Sequence, residues 1–169
     1  QRVPLQAPDL AEGVERQLER LEAALDNGLG LIQIRDKSWP DAQRLWFAET
    51  VTRLAHGRGA LVVVNDSPEI ARRVGADGIH LSSESLARCT SRPDFAWVGA
   101  SCHSAAEIQQ AGALNLDYAL LGPVLPTLTH PGAPTLGWED FARLVAGRTI
   151  PVFALGGLQA VHLAAALAP

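Results

Sequence analysis

The chain has 169 residues, 47% apolar, 19% charged and 5% aromatic, a composition that describes one ordinary globular domain over residues 1–169 and excludes a disordered or fibrous chain. A net charge of −4 and an isoelectric point near 5.7 argue against nucleic-acid binding, which draws on a broad basic footprint, so any anion site must be local. No apolar run reaches the length of a membrane span, no basic-then-apolar leader opens the chain, and two cysteines, Cys89 and Cys102, are too few for a disulfide scaffold.

These features predict a cytoplasmic protein with reduced thiols and no membrane partner. Because the chain begins at Gln1 and contains no methionine, it is expected to be part of a longer protein.

In chain order, a short strand is expected at 3–5, before a helix whose apolar positions Val14, Leu18, Leu21 and Leu25 recur at helical spacing and which Gly28 ends. A strand follows at 29–35, then a helix at 40–56 and a strand at 60–65 whose Leu61-Val62-Val63-Val64 run suits burial on both faces. Ser67-Pro68-Glu69 opens a helix with a cap and a first-turn proline, and Gly75 closes it. Strands are expected at 78–81 and 96–101, and Ser104 with Glu107 forms a capping box for a helix that Gly112 ends. A strand at 118–124, a helix at 139–145, a strand at 150–155 and a helix at 158–167 complete the pattern.

Strand and helix thus alternate about seven times, which means a parallel sheet with helical crossovers. A doubly wound dinucleotide fold should carry G-x-G-x-x-G after its first strand, and none is present. Polar residues instead cluster where strands end: Gln33, Arg35 and Lys37; Asn65 and Asp66; His80; Ser101 and His103; Thr127 and Thr129; Gly156 and Gly157. That distribution points to an α/β fold of the (β/α)8 TIM-barrel type, with its chemistry at the C-terminal ends of the strands. No eighth βα unit is visible before Pro169, so continuation of the polypeptide, a second copy or a fused domain is expected to cover the open strand edges.

The run 31–37 alternates apolar and polar residues, placing Gln33, Arg35 and Lys37 on one face and Ile32 and Ile34 on the other. An amide, a guanidinium and an ammonium in a row can grip a phosphate or pyrophosphate; an edge strand with a wet polar face reads the same way. If the sheet closes, Gln33 and Arg35 face a packed interior, where a charge needs a ligand or partner. Asn65-Asp66-Ser67-Pro68 is equally a turn with a helix cap, Thr127 and Thr129 equally solvent-facing loop residues, and Gly156-Gly157 equally a tight turn. His80 and His103 read as satisfied core or rim histidines, His56 and His162 as ordinary helix residues, and Trp39, Trp46, Trp97 and Trp138 as packing.

Six segments, in order across nearly the whole chain, resemble the thiamine phosphate synthases and their thiazole tautomerase relatives. They are Gln33-Ile34-Arg35-Asp36-Lys37, Val64-Asn65-Asp66, Gly75-Ala76-Asp77-Gly78-Ile79-His80-Leu81, Gly99-Ala100-Ser101-Cys102-His103, Gly122-Pro123-Val124-Leu125-Pro126-Thr127-Leu128-Thr129 and Ala154-Leu155-Gly156-Gly157. The resemblance implies an enzyme that joins a hydroxymethylpyrimidine pyrophosphate to a thiazole phosphate and releases pyrophosphate. It implies that Arg35, Lys37 and Asn65 hold the pyrophosphate with Ser101 nearby, that Gln33 meets the pyrimidine, and that Asp66 binds Mg²⁺. It further implies that Thr127 and Thr129 hydrogen-bond the thiazole phosphate, to which Gly157 offers backbone N–H groups at a helix start.

Three departures bear on activity. Where the family has a Gly-Gln pair and then a second metal carboxylate, this chain has Ser82, Ser83 and Ser85, with Glu84 one residue away, so a weakened Mg²⁺ site is expected. The family's lysine after the second threonine is His130, only partly charged at pH 7. The serine-bearing segment that completes the thiazole phosphate site does not precede Pro169. The tautomerase branch places its histidine where Pro123 stands, so Gly122-Pro123 is synthase-like. The leading expectation is a synthase; the alternatives are a non-catalytic or regulatory domain, or a tautomerase-like relative, that binds phosphorylated thiamine precursors.

Overall fold

The computed structural model describes residues 13–36, 39–127, 132 and 134–167. The strand expected at 3–5 and the site candidates Lys37, Thr129 and His130 lie outside the described residues. The chain divides into two compact units, Gln1–Ile79 and His80–Pro169. The strands form a parallel α/β arrangement with sheet order β1-β2-β3-β4-β5-β6, the order of the chain itself.

The first unit contains α1 (Val14–Asp26), β1 (Leu31–Ile34), α2 (Asp41–His56), β2 (Leu61–Asn65), α3 (Pro68–Val74) and the first two residues of β3 (Gly78–Leu81). β1 and β2 are parallel, with Gln33 opposite Val63 and Ile34 opposite Val64. Val62, Val63 and Val64 are all buried, as a strand covered on both faces requires, while β1 alternates and buries only Ile32 and Ile34. Leu45, Ala48, Val51 and Ala55 of α2 supply the helical side of this core. Each aliphatic side chain withdrawn from water here contributes about 1.5–3 kcal/mol. Pro68 opens α3 at its first position and Gly75, at φ 71°, ends it in the left-handed conformation. Ser67 occupies the cap position but makes no side-chain capping bond.

The second unit contains α4 (Ser83–Arg88), β4 (Trp97–Cys102), α5 (Ala105–Ala113), β5 (Tyr118–Leu121), α6 (Gly137–Val145), β6 (Val152–Ala154) and α7 (Leu163–Ala166). β4 pairs with β5 and β5 with β6, all parallel. Val98, Ala100, Ile108, Ala111, Leu116 and Leu121 are nearly fully buried between strands and helices. Ser104 caps α5 by accepting from the Glu107 N–H, and the Glu107 carboxylate accepts from the His103 N–H.

Four local expectations need correction. α4 was not expected; Ser82 caps it, accepting from the Ser85 N–H at 3.2 Å. Gly112 lies inside α5, which runs on to Ala113 because the turn closes through Leu114 and Asn115. β5 ends at Leu121 rather than at 124, since the chain then turns through Gly122-Pro123 to meet residues 155 and 156. The helix expected at 158–167 is a 3-10 turn at Ala160–His162 followed by the short α7, with Gln159 and His162 capping each other.

Two aspartates staple neighbouring strands in the same way. Asp77 accepts from the Val62 N–H at 2.7 Å and pairs with His56 at 2.9 Å, so His56 has a structural partner beyond its helix. Asp117 accepts from the Val98 N–H at 2.6 Å and pairs with Arg92 at 2.7 Å. Trp39 packs edge-on against Phe47 and Trp138 against Phe141, but Trp97 is 38% exposed and does not belong to a core. No described helix is long and apolar enough to cross a membrane.

Candidate functional site

In the first unit β1 presents Gln33, and Arg35 just beyond the strand, on the side opposite buried Ile32 and Ile34. Both polar residues are exposed; the packed interior expected for them is conditional on closure of the sheet. β1 is the end strand among the described residues and buries one face only, and a guanidinium left in water avoids the cost of losing its hydration without a counter-charge. Arg35 has no hydrogen bond or ion pair among the described residues. The Gln33 amide donates to Asn65 Oδ1 at 3.2 Å, and Asn65 Nδ2 donates to Asp66 Oδ2 at 3.0 Å. Gln33, Asn65 and Asp66 are therefore one connected polar chain. Asp66 sits at φ 49°, a left-handed conformation that aspartate tolerates better than most residues and that sets the bend between β2 and α3.

Beside this chain a shallow depression is lined by Asp36, Trp39, Arg44, Phe47 and Asn65 among others. Asp36 closes the β1–α2 loop by accepting from the Trp39 N–H at 3.1 Å. Trp39 and Arg44 went unnoticed as site neighbours, since nothing in their spacing distinguishes them from packing and helix-surface residues.

No cluster of three or more metal-ligating side chains forms among the described residues. Asp66 nonetheless suits Mg²⁺, which takes one or two carboxylates and fills its remaining positions with water and phosphate oxygens. Ser85 lies in the first turn of α4, where its N–H serves the Ser82 cap. Glu84 does not stand in as a second metal ligand: it is exposed and paired with Arg88 at 2.6 Å.

In the second unit half-buried Ser101 meets His80 Nε2 at 2.9 Å, and His80 Nδ1 meets the Tyr118 hydroxyl at 3.0 Å. His80 is fully buried, the satisfied core histidine expected. Burial, then the nearby Asp117 carboxylate, pushes the Tyr118 phenol up to about 12, so it keeps its proton. His103 is exposed and donates from Nδ1 to the Gly122 carbonyl at 2.6 Å, a rim role. Burial, then Glu107, pushes the neighbouring Cys102 thiol up to about 12.

Thr127 is half-buried and partnered. The segment 122–126 lies against 155–157: Val124 N–H donates to the Leu155 carbonyl at 2.8 Å and Leu125 N–H to that of Gly156 at 3.1 Å. Gly157 is obligatory there, with φ 68° and a missing Cβ that would stand 2.3 Å from the Pro126 oxygen. It does not start a helix, because Leu158 and Gln159 separate it from the 3-10 turn at Ala160–His162. Its backbone can still face an anion, but without a helix dipole behind it.

Residues 7–168 match the TMP-TENI family model, described as thiamine monophosphate synthase. A thiamine-phosphate synthase of Synechococcus sp. (strain WH7803) is 35% identical over 159 residues, covering 92% of this chain and 45% of that protein. Another, from Mycobacterium bovis (strain BCG / Pasteur 1173P2), is 40% identical over 161 residues, covering 86% of this chain and 72% of that one. The chain thus spans less than half the length of the first relative. A solved thiamine phosphate pyrophosphorylase from Pyrococcus furiosus superposes with a TM-score of 0.76 at 27% identity, over 93% of this chain and 77% of that one. The chain belongs to the thiamine monophosphate synthase family.

Proposed function

We propose that this chain is the catalytic domain of a thiamine-phosphate synthase, joining a hydroxymethylpyrimidine pyrophosphate to a thiazole phosphate with release of pyrophosphate. The observation that carries the reading is an exposed Arg35, without a hydrogen bond or ion pair among the described residues, just beyond the strand whose Gln33 begins the Gln33–Asn65–Asp66 chain. An unneutralised guanidinium beside fixed amide groups suits a pyrophosphate, with Lys37 adding a second cation.

The reaction is a dissociative substitution. The bond from the pyrimidine methylene carbon to pyrophosphate oxygen breaks, its electron pair leaves with the pyrophosphate, and the thiazole nitrogen lone pair forms the new C–N bond. Arg35, Lys37 and Asn65 stabilise the departing charge, Ser101 donates to it, and Gln33 orients the pyrimidine. Thr127, Thr129 and the Gly157 backbone hold the thiazole phosphate, with His130 a partial cation. Asp66 would hold Mg²⁺, which when bound neutralises pyrophosphate charge. No side-chain nucleophile is needed.

The same reading assigns residues 1–169 to one domain of the (β/α)8 barrel type, with a second copy or fused domain as further partners. It also places the domain in the cytoplasm, consistent with two free cysteines. Ser85, serving a helix cap where the family has a second carboxylate, favours a second reading: a domain that binds phosphorylated precursors without turning them over. Assaying the purified chain with both precursors and Mg²⁺ separates the two. Turnover lost in Arg35→Ala and Asp66→Ala supports the synthase, and tight precursor binding without turnover supports the second reading.

A further inference from the structure

We infer that His80 and Tyr118 are positioning residues that turn the Ser101 hydroxyl into a dedicated donor to an anionic ligand oxygen, an inference that rests on the pyrophosphate role proposed for Ser101. The geometry is a continuous chain of side chains, with Tyr118 Oη 3.0 Å from His80 Nδ1 and His80 Nε2 2.9 Å from Ser101 Oγ. His80 is 0% exposed and Tyr118 5%, so both groups are largely withdrawn from bulk water. The chain therefore has a direction.

A neutral imidazole has one N–H and one acceptor nitrogen. The Tyr118 hydroxyl has His80 as its sole hydrogen-bond partner among the described residues. Were Nδ1 protonated, the phenol would accept from it and its own buried proton would have no acceptor. With the phenol donating, Nδ1 is the acceptor and Nε2 carries the proton. Nε2–H then donates to Ser101 Oγ, whose own proton has no acceptor among the described residues and is left for a ligand.

The fold makes room for this arrangement. A Cβ at position 99 would lie 2.1 Å from the Tyr118 ring, so Gly99 is the slot that lets the ring reach His80. Ring packing alone would be met by phenylalanine; the hydroxyl is what the relay uses.

Two measurements on the full chain test this. In a long-range ¹H–¹⁵N spectrum, with His80→Gln used for assignment, Nε2 should be protonated and Nδ1 bare; a protonated Nδ1 overturns the relay. In a double-mutant cycle, affinity for inorganic pyrophosphate with Mg²⁺ is measured calorimetrically. Ser101→Ala and Tyr118→Phe should each weaken binding by about tenfold, and the double variant should bind no more weakly than Ser101→Ala alone. Losses that multiply show that Tyr118 acts through the fold and overturn the inference. A wild-type chain that binds no pyrophosphate overturns the synthase reading and the ligand assigned to Ser101, whatever the tautomer.

Discussion

Gln33 and Asn65 lie on adjacent parallel strands, Asn65 two residues beyond Val63, the register partner of Gln33, and their side-chain amides are hydrogen-bonded at 3.2 Å. The bond fixes which end of the Asn65 carboxamide is the acceptor, so its NH₂ group turns to Asp66. Asn65→Ala should break the chain at its centre and lower kcat/KM by about ten- to hundredfold, the scale of a lost hydrogen bond to a charged group. Circular dichroism should be unchanged. Asn65→Asp should be worse, because it sets a second carboxylate beside Asp66 where an anion must bind.

Gly99→Ala tests the packing behind Ser101. The added methyl would overlap the Tyr118 ring, and overpacking of this kind costs about 1–3 kcal/mol. Chemical denaturation should show a lower midpoint with an unchanged slope. An unchanged midpoint would mean that the ring has room to move.

Gly157→Ala should displace the loop at 125–126, since its Cβ would contact two carbonyl oxygens of that loop and φ 68° is unfavourable for alanine. The KM for the thiazole phosphate should rise, while affinity for the pyrimidine pyrophosphate stays within about twofold of wild type, a difference of under 0.5 kcal/mol. Equal losses for both substrates would contradict the separate roles given to the two ends of the chain.

Titration separates the two cysteines and predicts alkaline sensitivity. Cys102 is fully buried with its thiol pushed up to about 12, whereas Cys89 is half-exposed. At pH 8 a disulfide reagent should modify Cys89 promptly and Cys102 only on unfolding. Cys102 and Tyr118 both hold protons more tightly folded than unfolded. Their contribution to stability is thus full below about pH 8.5, where an unfolded thiol starts to ionise, and is lost as pH rises toward about 12. Unfolding free energy measured from pH 7 to 11 should fall in the upper part of that range.

The elements that were legible in the sequence are those with a strong period or a hard stop. β1 alternates and β2 is a continuous β-branched run, while Pro68 and Gly75 bracket α3. α4 was missed because six residues, Ser-Glu-Ser-Leu-Ala-Arg, are too few to display a period; its signals were the Ser82 cap and the Glu84–Arg88 pair at i,i+4. The candidate site residues rest on family resemblance and strand ends, which indicate positions but not bonds. The Gln33–Asn65–Asp66 and Tyr118–His80–Ser101 connections join residues distant in sequence, so only the register of the strands reveals them.

The most direct test of the synthase reading is product formation by the purified chain given both precursors and Mg²⁺, with Arg35→Ala alongside. Thiamine phosphate and pyrophosphate should appear in equal amounts, and Arg35→Ala should lower kcat/KM by about a hundredfold or more, since a charged contact to the leaving group is made chiefly as it departs. Precursors that bind tightly while neither product forms, or turnover indifferent to Arg35, would contradict it.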